Sequence, residues 1–398
     1  MKKEETNMQL KSTFKLSAIA LAVMASSAAL AAENLKIGLI LPLSGPFAAY
    51  GKQIKNGVDL YLKTKGDTFA GRKVEILVKD DAGTQPELSK RDAQELIVKD
   101  NVDILAGFGL TPAALAVAPV ATEAKKPMVV MNAATSIITT KSPYLVRTSH
   151  TLPQLTAPIA TWALKNNIKK VYTLVADYGP GIDSEKQFIK TFGAGGGQVV
   201  DSVRVPLKNP DFSPFLQKIK DAKPEAVFLF LPPGELTIGF LKGYQERELA
   251  KANIKIIATG DLTDDDTIEA LGDAALGITT SGHYSMVHKS PENKAYTEAY
   301  AKAYPKDRAN FMSVAGYDGM HLIAEVLKKT NGDANAEKFI EAARGLKWTS
   351  PRGVISIDPA TRDVVQTVYI RKVEKVGGKL ANVEFDDSQK DVKDPGKE

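Results

Sequence analysis

KIGLILPLSGP at residues 36–46 and KVYTLVADYGPG at residues 170–181 decide the fold. Each is an apolar run that breaks into a Gly/Pro turn just before a helical pattern, so each reads as a buried strand feeding a helix. Outward from the first, a strand at 35–41 leads to a helix at 49–63 with Ile54, Val58 and Tyr61/Leu62 on one face. A strand at 73–78, a helix at 86–99, a strand at 102–106, a helix at 112–125 and a strand at 128–131 follow. Around the second, a helix at 155–166 precedes a strand at 170–176. Helices at 184–192, 212–220 and 235–247 then alternate with strands at 199–205, 226–230 and 254–258. This rhythm predicts parallel sheets covered by helices, and its restart predicts two similar α/β units rather than one large sheet. Helices at 293–303, 313–329 and 336–343 come next, and 353–373 reads as a strand pair turning at 358–362. From Asp386 the chain is charged and carries Pro and Gly, so a disordered tail is expected over 386–398.

Composition agrees. A chain of 398 residues, 43% hydrophobic and 25% charged, is too long for one ordinary domain and has apolar material for two cores. The net charge of +5, from 52 basic and 47 acidic residues, is spread without long like-charge runs. Neither nucleic acid nor a membrane surface is therefore an expected partner. The chain has no cysteine, which excludes disulfides, thiol catalysis and thiolate zinc sites. It has no Gly-x-Ser-x-Gly elbow, no His-Glu-x-x-His and no P-loop; GAGGG at 193–197 lacks the Lys-Ser/Thr ending. His150, His283, His288 and His321 are dispersed. No enzyme activity, metal or cofactor is expected. At the N-terminus, Lys11 and Lys15, the apolar run LSAIALAVM and Ala29-Leu30-Ala31 predict a signal peptide over 1–31, cleaved before Ala32. That places the mature protein in the periplasm, and no cysteine stands at the cleavage site to carry a lipid.

In open α/β sheets ligands bind beyond the carboxyl ends of the strands. The first such end, 42–51, holds Phe47 and Tyr50, which either wall an apolar pocket or pack under the turn. The second, 106–112, holds Phe108, Gly109, Thr111 and Pro112. Thr111 reads as an N-cap with Pro112 at the first helical position. A helix N-terminus suits a carboxylate, although a plain cap needs no ligand. The third end has Asn132, Ala133, Ala134 and Thr135; the fourth has Tyr178. In the fifth, 260–266, Asp261 is the ligand candidate, and Asp264 to Asp266 are expected to cap the next helix.

The stretches ENLKIGLILPLSGPFAAYG, KDDAGTQPE, DILAGFGLTPAALAVAPVATEAKKPMVV, NAATS and ADYGPG, in this order and spacing, resemble the leucine/isoleucine/valine-binding proteins of ABC transporters. The resemblance runs from about residue 35 to about residue 372. It implies an α/β fold of two Rossmann-like lobes, the type I periplasmic binding fold, joined by a three-strand hinge. Lobe one would be 32–150 plus 282–350, and lobe two 151–281 plus 351–385, with crossings near His150-Thr151, Ser281-Gly282 and Ser350-Pro351. The Thr111 hydroxyl would hold a ligand carboxylate, joined by the N–H or C=O of Ala133 and by Thr135. Tyr50 and Tyr178 would face the cleft from opposite lobes, Asp261 would pair with an amino-acid ammonium, and Phe311 would add a wall. The implied partners are a small carboxylate ligand and the inner-membrane permease of an ABC importer, with the protein itself a monomer.

Two departures bear on the ligand. Gly83 and Leu110 stand where many relatives carry a disulfide, and a cleft tyrosine is replaced within Leu231-Pro232-Pro233-Gly234, which puts Pro232 at the site. The stretches Leu262-Thr263-Asp264 and Ser350-Pro351-Arg352-Gly353 look like those of relatives that bind aromatic acids. The expected ligand is thus a branched-chain or other apolar amino acid, with benzoate- or cinnamate-type acids as the alternative. A ligand-sensing receptor domain is the alternative of another class.

Overall fold

The computed structural model describes residues 33–397; the signal peptide read at 1–31 lies outside them. The first sheet contains β1 (Leu35–Leu41), β2 (Thr68–Phe69), β3 (Arg72–Asp80), β4 (Ile104–Gly107), β5 (Met128–Val130) and β6 (Leu145–Arg147). Its order is β2-β3-β1-β4-β5-β6, and all pairs are parallel except β2 with β3. Helices α1 (Ala48–Lys65), α2 (Pro86–Val98) and α3 (Thr111–Glu123) make the crossovers. β1, β4 and β5 are buried at nearly every position, so apolar residues from both of their faces enter cores and the runs read as continuous rather than alternating.

The second unit repeats the pattern. Helix α4 (Leu152–Lys165) enters it, then β7 (Lys170–Ala176), α5 (Gly179–Ala194), β8 (Gln198–Val205), α6 (Ser213–Ala222), β9 (Ala226–Phe230), α7 (Glu235–Glu246) and β10 (Lys255–Thr259). After α8 (Ile268–Leu271) the sheet gains β11 (Thr279–Gly282). The chain then returns to the first unit, where α9 (Pro291–Ala303), α10 (Phe311–Lys329) and α11 (Ala336–Ala343) cover the core shared with β1 and α1. Strands β12 (Lys347–Ser350), β13 (Gly353–Ile357), β14 (Val364–Val376) and β15 (Lys379–Val392) complete a nine-stranded sheet. In both sheets the first strand of the unit sits inside the order, between β3 and β4 and between β8 and β9. That creates a switch point beyond the carboxyl ends of β1/β4 and of β7/β9, where α/β sheets open a crevice.

Two expectations change. Residues 386–397, expected as part of a disordered tail, are ordered: β15 runs on to Val392 against β14, Phe385 packs edge-on to Trp162, and buried Asp394 accepts from Ser136 Oγ at 3.0 Å. The order comes from backbone pairing with a strand about twenty residues upstream, which a charged composition does not reveal. The expected division also assigned all of 282–350 to the first unit. Instead β12 pairs with β13 in the second sheet, while Trp348 packs on the first core. An antiparallel hairpin extends whichever sheet its second strand joins.

One cation ties the segments near residues 149 and 351 together. Arg352, fully buried, donates to Asp318 Oδ2 on α10 (2.8 Å), to Ser149 O (2.9 Å), to Thr148 O and to Gln366 Oε1 on β14 (2.6 Å). Gln366 Nε2 returns to Ser149 O at 3.1 Å.

Candidate ligand site

The cleft between the units is closed. Tyr50 OH, from the first, donates to Pro233 O, from the second, at 3.3 Å, and the Ser136 N–H donates to Asp183 Oδ2 at 2.9 Å. Between them lies a small cavity that touches Tyr50, Gly109, Thr111, Asn132, Ala133, Ala134, Tyr178, Pro232 and Asp261. Those nine sequence-derived candidates are brought together from six segments that follow β1, β4, β5, β7, β9 and β10. A second, smaller chamber adjoins it, with His150 and Asp261 common to both walls.

One end of the cavity is built from small groups and hydroxyls. Gly107 and Phe108 both have positive φ, at 106° and 66°, which turns the chain sharply out of β4 and leaves Gly109 facing the cleft. Thr111 begins α3, yet its hydroxyl does not cap it; Leu110 holds the cap position and no side chain bonds there. Thr111 Oγ1 instead meets Thr135 Oγ1 at 3.0 Å, both residues buried. With Leu110 at the N-cap, Thr111 is the first helical residue, and its hydroxyl faces the loop opposite instead of the helix end. Arg147, fully buried, shapes that loop: its guanidinium donates to Ala133 O (3.0 Å), Thr135 O (2.9 Å) and Asp363 Oδ1 (2.9 Å). With these carbonyls drawn toward Arg147, a positive charge lies behind the hydroxyl pair. The Ala133 N–H was one expected ligand contact, but it already donates to Phe108 O at 2.9 Å, so it is occupied in joining the loops that follow β4 and β5. The α5 N-terminus meets the same spot. A Cβ on Gly179 would lie 2.6 Å from Thr135 Oγ1, so only glycine lets the helix tip come this close.

The walls are aromatic. Tyr178 stacks on Phe230, with centroids 6.0 Å apart and 21° between planes. Burial pushes the phenols of Tyr50 and Tyr178 well above their ordinary range, so both stay neutral. Three candidates take other places. Phe47 supports Tyr50 edge-on at 5.3 Å without reaching the cavity. Phe108 is fully buried in the core under α3, because the left-handed turn sends its side chain inward. Phe311 lines the second chamber, edge-on to His150 and His283 at 5.7 Å. Gly83 and Leu110, the positions without the disulfide, do adjoin: a Cβ on Gly83 would stand 3.3 Å from Leu110 Cδ1. Sequence reasoning missed His150, Leu152, Phe230 and Met312 on the cavity wall. Phe230 ends a strand that had been read correctly, and that position was the available signal.

Asp261 is buried at 7% exposure; Thr259 Oγ1 donates to it at 2.9 Å and the Arg371 guanidinium acts on it from nearby. Loss of water still outweighs these and lifts its carboxyl to about 6. The next acids do not cap a helix; the helix that follows is only Ile268–Leu271. Asp264 accepts from Asn310 Nδ2 at 3.0 Å, Asp265 from Asn382 Nδ2 at 3.0 Å, and Asp266 from Gln53 Nε2 at 2.5 Å. They bond across to the first unit and to β15 because the turn after β10 faces both.

Burial, with Asp265 and Asp266 alongside, raises Asp264 to about 8 from 3.8. An acid whose folded value is raised stabilises the fold below its unfolded value, and that stability is lost as pH climbs through the folded value. Stability should therefore decline between about pH 4 and pH 8. In Asp264→Asn, the difference in melting temperature between pH 5 and pH 8.5 is expected to shrink. An unchanged difference would show that Asp264 is not the titrating group.

A family model described as periplasmic binding protein matches residues 34–379. The chain belongs to that family. It is a family of solute-binding transport proteins, and several solved relatives are close. A solute-binding protein of an ABC transporter from Rhodopseudomonas palustris BisB5, in complex with 3,4-dihydroxybenzoic acid, is 55% identical, with 92% of this chain and 99% of that one covered at a TM-score of 0.88. Another, from R. palustris HaA2 in complex with p-hydroxybenzoic acid, is 47% identical, with 91% and 99% covered and a TM-score of 0.89. A curated relative from Brucella melitensis biotype 1, Leu/Ile/Val-binding protein homolog 6, is 46% identical over 96% of this chain and 98% of its own length.

Proposed function

We propose that this binding protein captures a small aromatic carboxylate in the periplasm and presents it, in the closed form, to the permease of an ABC importer. The observation that carries this reading is the state of Asp261. An amino-acid site needs a carboxylate free to pair with the ammonium. Here Asp261 already accepts from Thr259 Oγ1 and feels the charge of Arg371, while burial holds its carboxyl up at about 6, so it is not a free, fully ionised partner for an ammonium. The rest of the cavity suits a flat ring: Tyr50, Tyr178 and Phe230 supply faces, and the Thr111–Thr135 pair at a helix tip, backed by Arg147, suits a carboxylate. The two R. palustris relatives, bound to hydroxybenzoates, support it. A branched-chain amino acid is the second reading. It is favoured by the name of the Brucella relative and by the presence of an acid in the cavity.

The mechanism follows from where the groups lie. The carboxylate docks on the first unit at Thr111, and closure adds Tyr178, Pro232 and Asp261 from the second. Ligand contacts on both units favour the closed state over the open one, which shifts a hinge equilibrium. Calorimetry with ligand-stripped protein tests the reading. Benzoate or 4-hydroxybenzoate should bind in the micromolar range, which needs about 8 kcal/mol, and leucine should not bind. Leucine binding more tightly than both would reverse the assignment. Thr111→Ala should weaken aromatic-acid binding about tenfold, the worth of a hydrogen bond to a charged group; unchanged affinity would move the carboxylate elsewhere.

A further inference from the structure

The segment that follows β15 reaches from the second unit onto the first. Its start is tied to α4, where Gln154 Nε2 donates to Val392 O at 2.6 Å and to Val364 O at 3.0 Å. Residues Pro395–Lys397 then form a short turn that lies on Ser136–Thr140 of the first unit and on α4 and α5 of the second. The approach is close. A Cβ on Gly396 would collide with Ser136 Oγ and stand 2.8 Å from Pro153 Cγ, so only glycine fits between the two units here.

Ser136 follows Thr135 in the chain, so whatever holds Ser136 sets where the Thr111–Thr135 hydroxyl pair stands. Two carboxylates hold it, both from the second unit. Its N–H donates to Asp183 Oδ2 at 2.9 Å and its Oγ to Asp394 Oδ1 at 3.0 Å. Asp394 is 5% exposed, and the Gly396 N–H donates to the same oxygen at 3.0 Å, which aims the carboxylate at Ser136. Lys397 Nζ reaches further, to Thr139 Oγ1 and to Asp363 Oδ2. Asp363 is the acid whose other oxygen pairs with Arg147, the cation behind the hydroxyl pair. The segment thus grips the carboxylate-binding loop at the residue beside Thr135 and at the ion pair that shapes it. Neither Asp394 nor Lys397 lines the cavity.

We propose that residues 394–397 are a latch that fastens the second unit to the ligand loop of the first in the closed form and slows release of the ligand, with Asp394 as the positioning residue and Lys397 as its anchor. Bonds between parts that separate on opening favour only the closed state. The latch acts through Ser136 and touches no ligand, so it serves whichever carboxylate the cleft takes.

Stopped-flow binding of 4-hydroxybenzoate, with leucine alongside, tests it. Asp394→Ala should release the bound acid about tenfold faster, the worth of a hydrogen bond to a charged group. Its association rate and the melting temperature of the ligand-free protein should stay near those of the parent, because the latch closes after the ligand has docked. Ser136→Ala should speed release by a similar factor, and the double variant should do no more than either alone, since both remove one bond. Lys397→Met should raise the release rate about threefold, and Lys397→Arg should restore it. If Asp394→Ala does not fold, as judged by its melting curve, Asp394→Asn takes its place and should show a smaller increase in the same direction. A release rate equal to the parent's in folded Asp394 and Ser136 variants would overturn the proposal. So would a melting temperature lowered equally with and without ligand, which would mean that the segment holds the open form as firmly as the closed one. Binding of leucine alone would overturn the aromatic-acid reading, and its release rates would then decide the latch.

Discussion

Arg352→Met is expected to cost about 3–5 kcal/mol of folding stability, the usual penalty for removing one partner of a buried ion pair. The guanidinium is completely enclosed, and its loss leaves Asp318 charged in the interior with only Ser350 Oγ (2.9 Å) and Trp348 Nε1 (3.2 Å) as donors. It also strips hydrogen bonds from Thr148 O and Ser149 O, in the first crossing between the units. The unfolding midpoint in urea, at constant slope, reads the loss directly. Arg352→Met combined with Asp318→Leu should recover part of it, because a buried pair replaced as a whole is far less damaging than a pair broken. A single-variant loss under about 1 kcal/mol would mean that water reaches the hinge and solvates the orphaned acid.

Gly179→Val should weaken aromatic-acid binding by a hundredfold or more while leaving stability nearly untouched. The position has ordinary helical backbone at the tip of α5, so valine causes no strain in the open protein. In the closed protein its Cβ would stand 2.6 Å from Thr135 Oγ1 and 3.4 Å from Thr111 Cγ2, before its two methyls are counted. The second unit therefore cannot seat on the first, and the ligand loses Tyr178, Pro232 and Asp261 at once. A hundredfold is about 2.8 kcal/mol of the roughly 8 that micromolar binding needs, a modest share for about a third of the walls. Calorimetry measures the affinity, and small-angle scattering should show that added ligand no longer compacts the variant. Compaction and affinity equal to those of the parent would show that the α5 tip is not part of the closed site.

Much of this arrangement is legible in local sequence. A strand that ends in Gly or Pro before a helical pattern announces itself within a dozen residues. The carboxyl ends of such strands are where a crevice opens, so Tyr50, Thr111, Ala134, Tyr178 and Asp261 were found from position alone. Side-chain direction was not found that way. Thr111 looks like a cap, yet it faces Thr135, twenty-four residues on. Asp264 to Asp266 look like capping charges, yet they bond to Gln53, Asn310 and Asn382 on other parts of the chain. Phe47 and Phe108 look like pocket walls, yet one braces Tyr50 and the other fills a core.

The sequence by itself determined two α/β units, their strand ends and the loops that line the cleft, because these depend on residues that are neighbours along the chain. The order of the tail, the division of β12 between sheet and core, and the chamber of His150, His283 and Arg371 were decided only by tertiary structure. Those three residues sit more than eighty positions apart, on a crossing segment, just past the end of β11, and on β14, which pairs with β11. No periodicity links such positions; what joins them is the folding of one unit against the other.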